Sequence, residues 1–246
     1  MAVGAVTQAR IYVGGLEFTS YTNQAEAGVD VATNDVTVFG SDYVQHVPGL
    51  RTLGFNTAGF NDWASGALDE YLRTAYGTRR VATIPVTTPA TGGTAWLGYG
   101  VLGGKRMFNA QIGGVSAYNA TVNGGIPAEG LLTQIATSSI SATGHTTAVN
   151  VGALTAGSTI VAGIHVLSVS GTSTPTATFQ LESASSSGGS YTLRGSAGAG
   201  MTAVGDQWLS TQTATTDGFW KLAVTVSGTS PVFSVVATIA LIPALV

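Results

Sequence analysis

Only one segment of this chain repeats apolar residues at helical spacing, so almost everything else has to be built from strands. Between Asn61 or Asp62, either of which can cap a helix, and Gly77, which suits a helix C-terminus, the residues Ala64, Ala67, Leu68, Tyr71, Leu72 and Ala75 form one apolar stripe. That stripe predicts a helix packed on a sheet, with Asp69, Glu70 and Arg73 facing outward. Elsewhere, short runs of β-branched and apolar residues alternate with polar ones between Gly, Pro, Asn and Ser. The fold class is therefore mainly β.

In the first half, Ala9 to Val13 and Leu16 to Thr19 flank Gly14-Gly15 and predict a tight hairpin. Val29 to Phe39 carries β-branched runs around Thr33-Asn34-Asp35. A loop from Gly40 to Gly49 then returns the chain to a strand over Leu53 to Phe60, and Pro48 keeps that end of the loop out of the middle of a sheet. Strands follow at Val81 to Val86 and Ala95 to Leu102. Met107 to Ile112 and Val115 to Val122 flank Gly113-Gly114 as a second hairpin.

Composition changes near Thr137 to Gly144, a small polar stretch that reads as a linker and places a domain boundary between residues 139 and 140. Beyond it the pattern is strand after strand: Thr147 to Val151, Thr159 to Val169, Thr176 to Glu182, Tyr191 to Arg194, Trp220 to Val226 and Val232 to Leu241. Val169-Ser170-Gly171-Thr172-Ser173 and Val226-Ser227-Gly228-Thr229-Ser230 echo each other, each just before a proline, and read as one hairpin turn used twice. The second half is thus expected to be a compact all-β sandwich.

A length of 246 residues allows one large or two modest domains. Only 9% of residues are charged, against about 25% in an ordinary soluble domain, and a surface so poor in charge is expected where neighbouring subunits cover it. Beyond residue 140 the charges are Glu182, Arg194, Asp206, Asp217 and Lys221 alone. A net charge of −3 offers no basic patch for a phosphate backbone, so sequence-specific nucleic-acid binding is not expected. With no cysteine there is no disulfide framework or thiolate metal site, and cytoplasmic synthesis fits. The opening residues show no basic stretch ahead of a hydrophobic one, so a secretory signal is not expected. The apolar tail from Val232 to Val246 is interrupted by Ser234, Thr238 and Pro243 and falls short of the roughly 20 residues of a bilayer span, so it predicts a buried strand.

No constellation points to an enzyme, a cofactor or a metal. Gly98-Tyr99-Gly100-Val101-Leu102-Gly103 matches a dinucleotide-loop pattern, but no helical stripe follows it and no acidic residue stands about 20 positions on. Gly104-Lys105 lacks the spacing of a phosphate loop. His46, His145 and His165 are far apart, and none has a second ligand one helical turn or one strand step away; His165, in an apolar strand, reads as a packed, hydrogen-bonded residue. Asp69-Glu70 are adjacent on a helix and point apart, Arg79-Arg80 suit salt bridges, and no nucleophile elbow occurs.

The segment Thr37-Val38-Phe39-Gly40, then Tyr43, then Pro48-Gly49-Leu50, then an alternating strand ending at Phe60-Asn61-Asp62, resembles the major tail tube proteins of long-tailed, non-contractile bacteriophages. The likeness covers residues 30 to 76 and, in outline, the strand order to 138. It implies an N-terminal tail-tube-like β-sandwich or barrel with one α-helix over residues 1–139. It implies hexameric rings stacked into a tube that encloses a tape-measure protein, meets terminator and tip proteins and conducts DNA at ejection. It also implies a virion location. Under it, Phe39, Gly40, Ser41, Asp42, Tyr43, Val44, Gln45, His46, Val47, Pro48, Gly49 and Leu50 form a candidate intersubunit loop, which fits the rule that a long loop in a compact domain has a purpose. The family tends to line its lumen with acidic residues, for which Glu17, Glu26, Asp30, Asp35 and Glu129 are the candidates. Residues 140–246 resemble sandwich modules appended to tail proteins, through His165 to Ser173, Gly205-Asp206-Gln207-Trp208 and Phe219-Trp220. They are expected to form an Ig-like or jelly-roll-like sandwich outside the tube.

Two other readings stay open on the sequence. One is a different virion component, such as a capsid decoration or tail-completion protein. The other is a carbohydrate-binding or adhesive module using Trp208, Trp220, Tyr191 and Phe219.

Overall fold

The computed structural model describes residues 10–36, 44, 46–107 and 115–244. In chain order the strands are β1 (Tyr12–Val13), β2 (Leu16–Glu17), β3 (Thr22–Asp35), β4 (His46–Phe60), β5 (Arg79–Pro85), β6 (Thr94–Met107) and β7 (Ala117–Gln134). They continue as β8 (Gly144–His145), β9 (Val149–Asn150), β10 (Thr159–Ala184), β11 (Thr192–Arg194), β12 (Gly205–Thr211) and β13 (Phe219–Ile242). One helix, α1 (Leu68–Ala75), lies between β4 and β5. The chain is mainly β, and these thirteen strands join in one antiparallel sheet.

The sheet is organised by the ribbon of β10 and β13, which pair from Thr159↔Ile242 to Ala184↔Phe219. A flat ribbon of that length would leave both faces in water. It folds over instead, and residues from its two ends enter one core: Ile160, Ala162, Ile164, Val166, Val235, Ala237 and Ile239 against Phe179, Leu181, Trp220, Leu222 and Val224. The crease lies where Thr172 faces Thr229. Gly171 and Gly228 adopt φ of 120° and 110° there, which only glycine takes without strain. This corrects the expectation of two hairpin turns: the echoed Val-Ser-Gly-Thr-Ser segments lie opposite each other and form the two sides of a single corner between layers. The sandwich itself is present.

The first-layer half of the ribbon is buried on its other face as well. Val161 and Ala240 pack with Val81, Leu97 and Ala128, and Val236 packs with Tyr12, Ala95 and Leu132. The middle of the molecule is therefore three layers deep, and β10 and β13 read as near-continuous apolar runs for that reason. The sheet also continues through the compositional boundary, since β13 pairs with β7 at Ala240↔Gly130 and Ile239↔Leu131. The half beyond residue 139 is thus a fixed part of the molecule, sharing two cores with the half before it.

At the far end of β6 and β7 a second core forms under the helix. Leu68, Leu72 and Ala75 pack on Phe55, Leu102, Tyr118, Ala120, Val122 and Phe18. The helix begins at Leu68, later than the expected Asn61 or Asp62, because Gly66 at φ 76° turns the chain just before it. Asp62 instead accepts the Ala64 N–H at 2.9 Å. Asp69 is the other correction: it is buried, and Arg106 Nε donates to it at 2.7 Å. Part of the expected Gly40–Gly49 loop is strand, since His46, Val47 and Pro48 pair with Asp35, Asn34 and Thr33. Pro48 is accommodated because β4 reaches β7 only from Gly54 onward, leaving the outer side of the earlier stretch without a ladder partner. The dinucleotide-like glycines lie within β6, which runs on as strand to Met107.

Gly163 tests the three-layer packing. A Cβ built there would stand 2.3 Å from Leu97 Cδ1 and 2.8 Å from Val81 Cγ1. Gly163→Val is expected to lower stability by about 1–3 kcal/mol, read as a lower urea midpoint at unchanged slope. Adding Leu97→Ala should recover part of the loss.

Candidate assembly surface

One region of the described sheet is left open in a way that an isolated protein normally avoids. Among the described residues β3 pairs only with β4, so from Thr22 to Asn34 its outer backbone groups have no ladder partner there. Asn23 to Glu26 and Asp30 to Thr33 are exposed. Natural edge strands are usually short or blocked by Lys, Pro or an inward charge. β3 contains no Lys, Arg or Pro, only the acids Glu26, Asp30 and Asp35.

Its counterpart lies three strands away. β5 leaves β6 at Arg79↔Val101, and beyond that point Gly103 to Met107 pair with β7 alone. This second open edge carries Lys105, whereas its Arg106 is already paired with Asp69 of α1, so across the β3-β4-β7-β6 unit the acids of one edge are set against the Lys105 cation of the other. All four strands are antiparallel, so the two edge strands run in opposite directions.

The two faces of this unit also differ. One is the apolar face under α1, where the Tyr118 hydroxyl also bonds the Thr22 hydroxyl. The other bears Gln24, Glu26, Asn56, Asn119 and Thr121 around a shallow depression of about 330 Å³. Lys105 pairs opposite Asn119 and so shares this face. Strand alternation alone separates the two sets: Tyr118, Ala120 and Val122 point in, whereas Asn119, Thr121 and Asn123 point out. That period-2 signal in 117–123 was available in the sequence and marks the polar face that the choice of acids alone missed.

The candidate acids scatter. Glu26 and Asp30 occupy alternate positions of β3 and share the polar face. Asp35 falls on the opposite face by alternation, and Glu129, paired opposite Trp96 beyond the register shift in β7, does too. Glu17 is on the β1–β2 hairpin, in an ion pair with Arg10 at 3.0 Å. Of the candidate loop, Phe39, Gly40, Ser41, Asp42, Tyr43 and Gln45 lie outside the described residues. Val44 is exposed, and His46 to Leu50 belong to β4.

Other polar groups serve the fold. His165 is fully buried between the two halves of the chain. The Gly14 carbonyl accepts its Nδ1–H at 2.7 Å, which leaves Nε2 to accept the Thr83 hydroxyl proton at 2.8 Å. Burial holds its pKa below the ordinary value of 6.5, against the opposing pull of the Gly14 carbonyl and the Asp206 carboxylate. Asp206 in turn accepts Arg80 at 3.0 Å and the Val81 N–H at 2.7 Å, fastening β12 to β5. A cleft of about 820 Å³ is lined by Arg10, Tyr12, Glu17 and Pro89 among others; its two charges neutralise each other, and burial pushes the Tyr12 hydroxyl up to about 12. The aromatic residues of the second half form no open row: Trp220 is core, Trp208 stacks on Tyr99 at 5.2 Å, and Lys221 sits 3.8 Å above the Tyr191 ring. Among the described residues no group of three or more His, Asp or Glu could hold a metal, and no helix is long and apolar enough to cross a membrane.

No protein-family model matches this chain, and no curated protein matches it. Among solved structures it is similar to a chain in the virion of a native gene transfer agent particle, with a TM-score of 0.38 and 16% identity over 52% of this chain and 98% of that one. It is also similar to the Dit (gp 19.1) protein of SPP1, described as a paradigm of the hub adsorption apparatus in phages infecting Gram-positive hosts. There the TM-score is 0.35 and the identity 12%, over 96% of this chain and 100% of that one. Both neighbours are parts of virions or phages, at a level of likeness on which no functional argument rests.

The state of His165 makes a pH prediction. The folded chain holds it neutral, whereas the unfolded chain takes up a proton below about pH 6.5, so stability should be lost progressively as pH falls below 6.5. Urea midpoints at pH 7.5 and 5.0 are expected to differ more for the wild-type chain than for His165→Asn, which is weaker throughout but lacks this contribution. Equal differences in the two proteins would contradict the neutral assignment.

Proposed function

We propose that this chain is a structural virion protein that polymerises, as stacked hexameric rings, into a phage tail tube made in the host cytoplasm. In this reading the β3-β4-β7-β6 unit of each subunit adds to the next, β3 of one copy lying along Gly103–Met107 of its neighbour. The observation that carries the reading is the pair of open edges. They run in opposite directions, so head-to-tail joining continues the antiparallel alternation, and they set the acids of β3 against Lys105. A closed ring satisfies every edge group that an isolated subunit leaves to water.

The sixfold number comes from the sequence resemblance alone. So do the tape-measure protein inside the tube, the terminator and tip proteins at its ends and the passage of DNA. The polar face with Glu26 and Asp30 turns toward the passage, and α1 braces the sheet from behind. A lining of amides and hydroxyls on which Glu26 and Asp30 outnumber Lys105 suits a channel through which a polyanion slides, because its one cation is matched by acids and little is left to hold phosphate. Charge scarcity over the whole chain fits a surface covered by neighbours.

Electron microscopy of the purified protein is expected to show hollow filaments of uniform width; monomers alone at high concentration would overturn the reading. Ala25→Pro and Glu26→Pro sharpen the test, because successive N–H groups of a strand point to opposite sides. The one whose N–H faces outward should leave a folded monomer that fails to polymerise. Normal filaments from both variants would exclude β3 as the joining edge.

A further inference from the structure

Asn123-Gly124 is the single Asn-Gly pair in the chain, and the fold places it where one ladder ends and another shifts register. β4 reaches β7 no further than Gly54↔Asn123, and the β6–β7 pairing steps from Val101↔Asn123 to Tyr99↔Ile126. Gly124 and Gly125 therefore form a bulge with no position in either register. Gly124 takes φ 64°, and a Cβ built on it would meet no described atom within 4 Å. Asn123 is exposed on the polar face, and Gly54, directly opposite, has no side chain to crowd it. The Asn123 Nδ2 donates to the Thr121 hydroxyl at 2.8 Å.

We propose that Asn123 is a site of spontaneous backbone modification, at which the Gly124 nitrogen attacks the Asn123 side-chain carbonyl and the residue ends as aspartate or isoaspartate. The Gly124 nitrogen gives its proton to solvent base and forms a bond to Asn123 Cγ. The Cγ–Nδ2 bond then breaks, and Nδ2 takes a proton from solvent and leaves as ammonia. Water opens the resulting succinimide at either carbonyl, giving aspartate or, with the chain rerouted through Cγ, isoaspartate. Water is the one co-reactant, and no group is oxidised or reduced.

The location favours each step. A following glycine has no Cβ to obstruct the approach, the bulge lets its peptide unit turn without breaking a register pair, and the amide is open to water. Asn56 and Asn119 share the polar face, but the residues after them, Thr57 and Ala120, carry side chains and are paired on both sides. The one Asp-Gly pair, Asp217-Gly218, is held differently. Its carboxylate accepts the Ser183 hydroxyl at 2.7 Å and Arg194 at 2.9 Å, contacts that hold it below the ordinary carboxylate range, and an ionised carboxylate is a poor electrophile. Reaction at Asn123 replaces a neutral amide by a carboxylate on the face that bears Glu26 and Asp30. Only the consequence of that charge rests on the tube reading: each subunit gains one negative charge where the polyanion passes.

The full chain, kept folded in mildly alkaline buffer, is expected to convert at Asn123 at least tenfold faster than at Asn56, Asn119 or Asn150. Peptide mass spectrometry reads this as an amide-to-acid gain, with isoaspartate in excess over aspartate. Asn123→Gln, whose longer side chain has to close a larger ring, should abolish it. Conversion in urea but not in the folded chain would show that the fold protects the pair and overturn the inference, as would equal rates at Asn119 and Asn123. In purified filaments the reaction should persist, because water fills the passage. Its arrest on assembly, with free subunits still reacting, would leave the modification site standing and overturn the placement of this face toward the passage.

Discussion

Burial of β10 and β13 on both faces is the constraint on which the rest of the molecule depends. A strand buried on one face can slip or fray with modest loss, but Ile160, Ala162 and Ile164 point into one core while Val161 and His165 point into another. A one-residue slip would exchange the two sets and place the imidazole in the sandwich core. Each fully buried Val, Ile or Leu contributes about 1.5–3 kcal/mol relative to exposure, so the register is fixed many times over. The polar seam adds direction to that packing. Gly14, Thr83 and Asp206 each satisfy a group that would be costly to bury alone, and together they hold β1, β5 and β12 against the ribbon.

That rigid middle lets the β3-β4-β7-β6 end remain open. Its strands continue out of the core they share with the second half, with α1 closing one face and nothing among the described residues closing the other or the two edges. An edge of this length without a lysine or proline is a hazard for a protein meant to stay single, and a natural joint for one meant to polymerise. The scarcity of charge in the sequence and the openness of the sheet thus express one property at two levels.

Much of this was legible in the residues. The helical stripe located α1, although Gly66 moved its start, and Gly14-Gly15 located the first hairpin. Clean alternation in 176–182 and 220–226 identified strands of the sandwich core. Tertiary context hid the rest. β12 escaped notice because Asp206, Gln207 and Ser210 give it a polar reading, and it becomes a strand by pairing with β10 and anchoring to Val81. The echoed Gly-Thr-Ser segments carried a turn signal, but whether a turn joins neighbours or bends a ribbon depends on a partner more than fifty residues away. At the candidate site, counting acids could not tell Glu26 from Glu129, because a register shift near Gly124 reverses which face a β7 residue occupies.

Hydrogen exchange at β3 tests the central claim most directly, since it reads the backbone groups that assembly is held to cover. In the unassembled chain, amides between Asn23 and Asp30 that do not point toward β4 have no ladder partner among the described residues and should exchange freely. In the assembled state, alternate amides between Asn23 and Asp30 are expected to become protected to the level of the interior β7 amides. If the protein assembles while those amides exchange as fast as before, the edge is not the joint and the account fails at its centre.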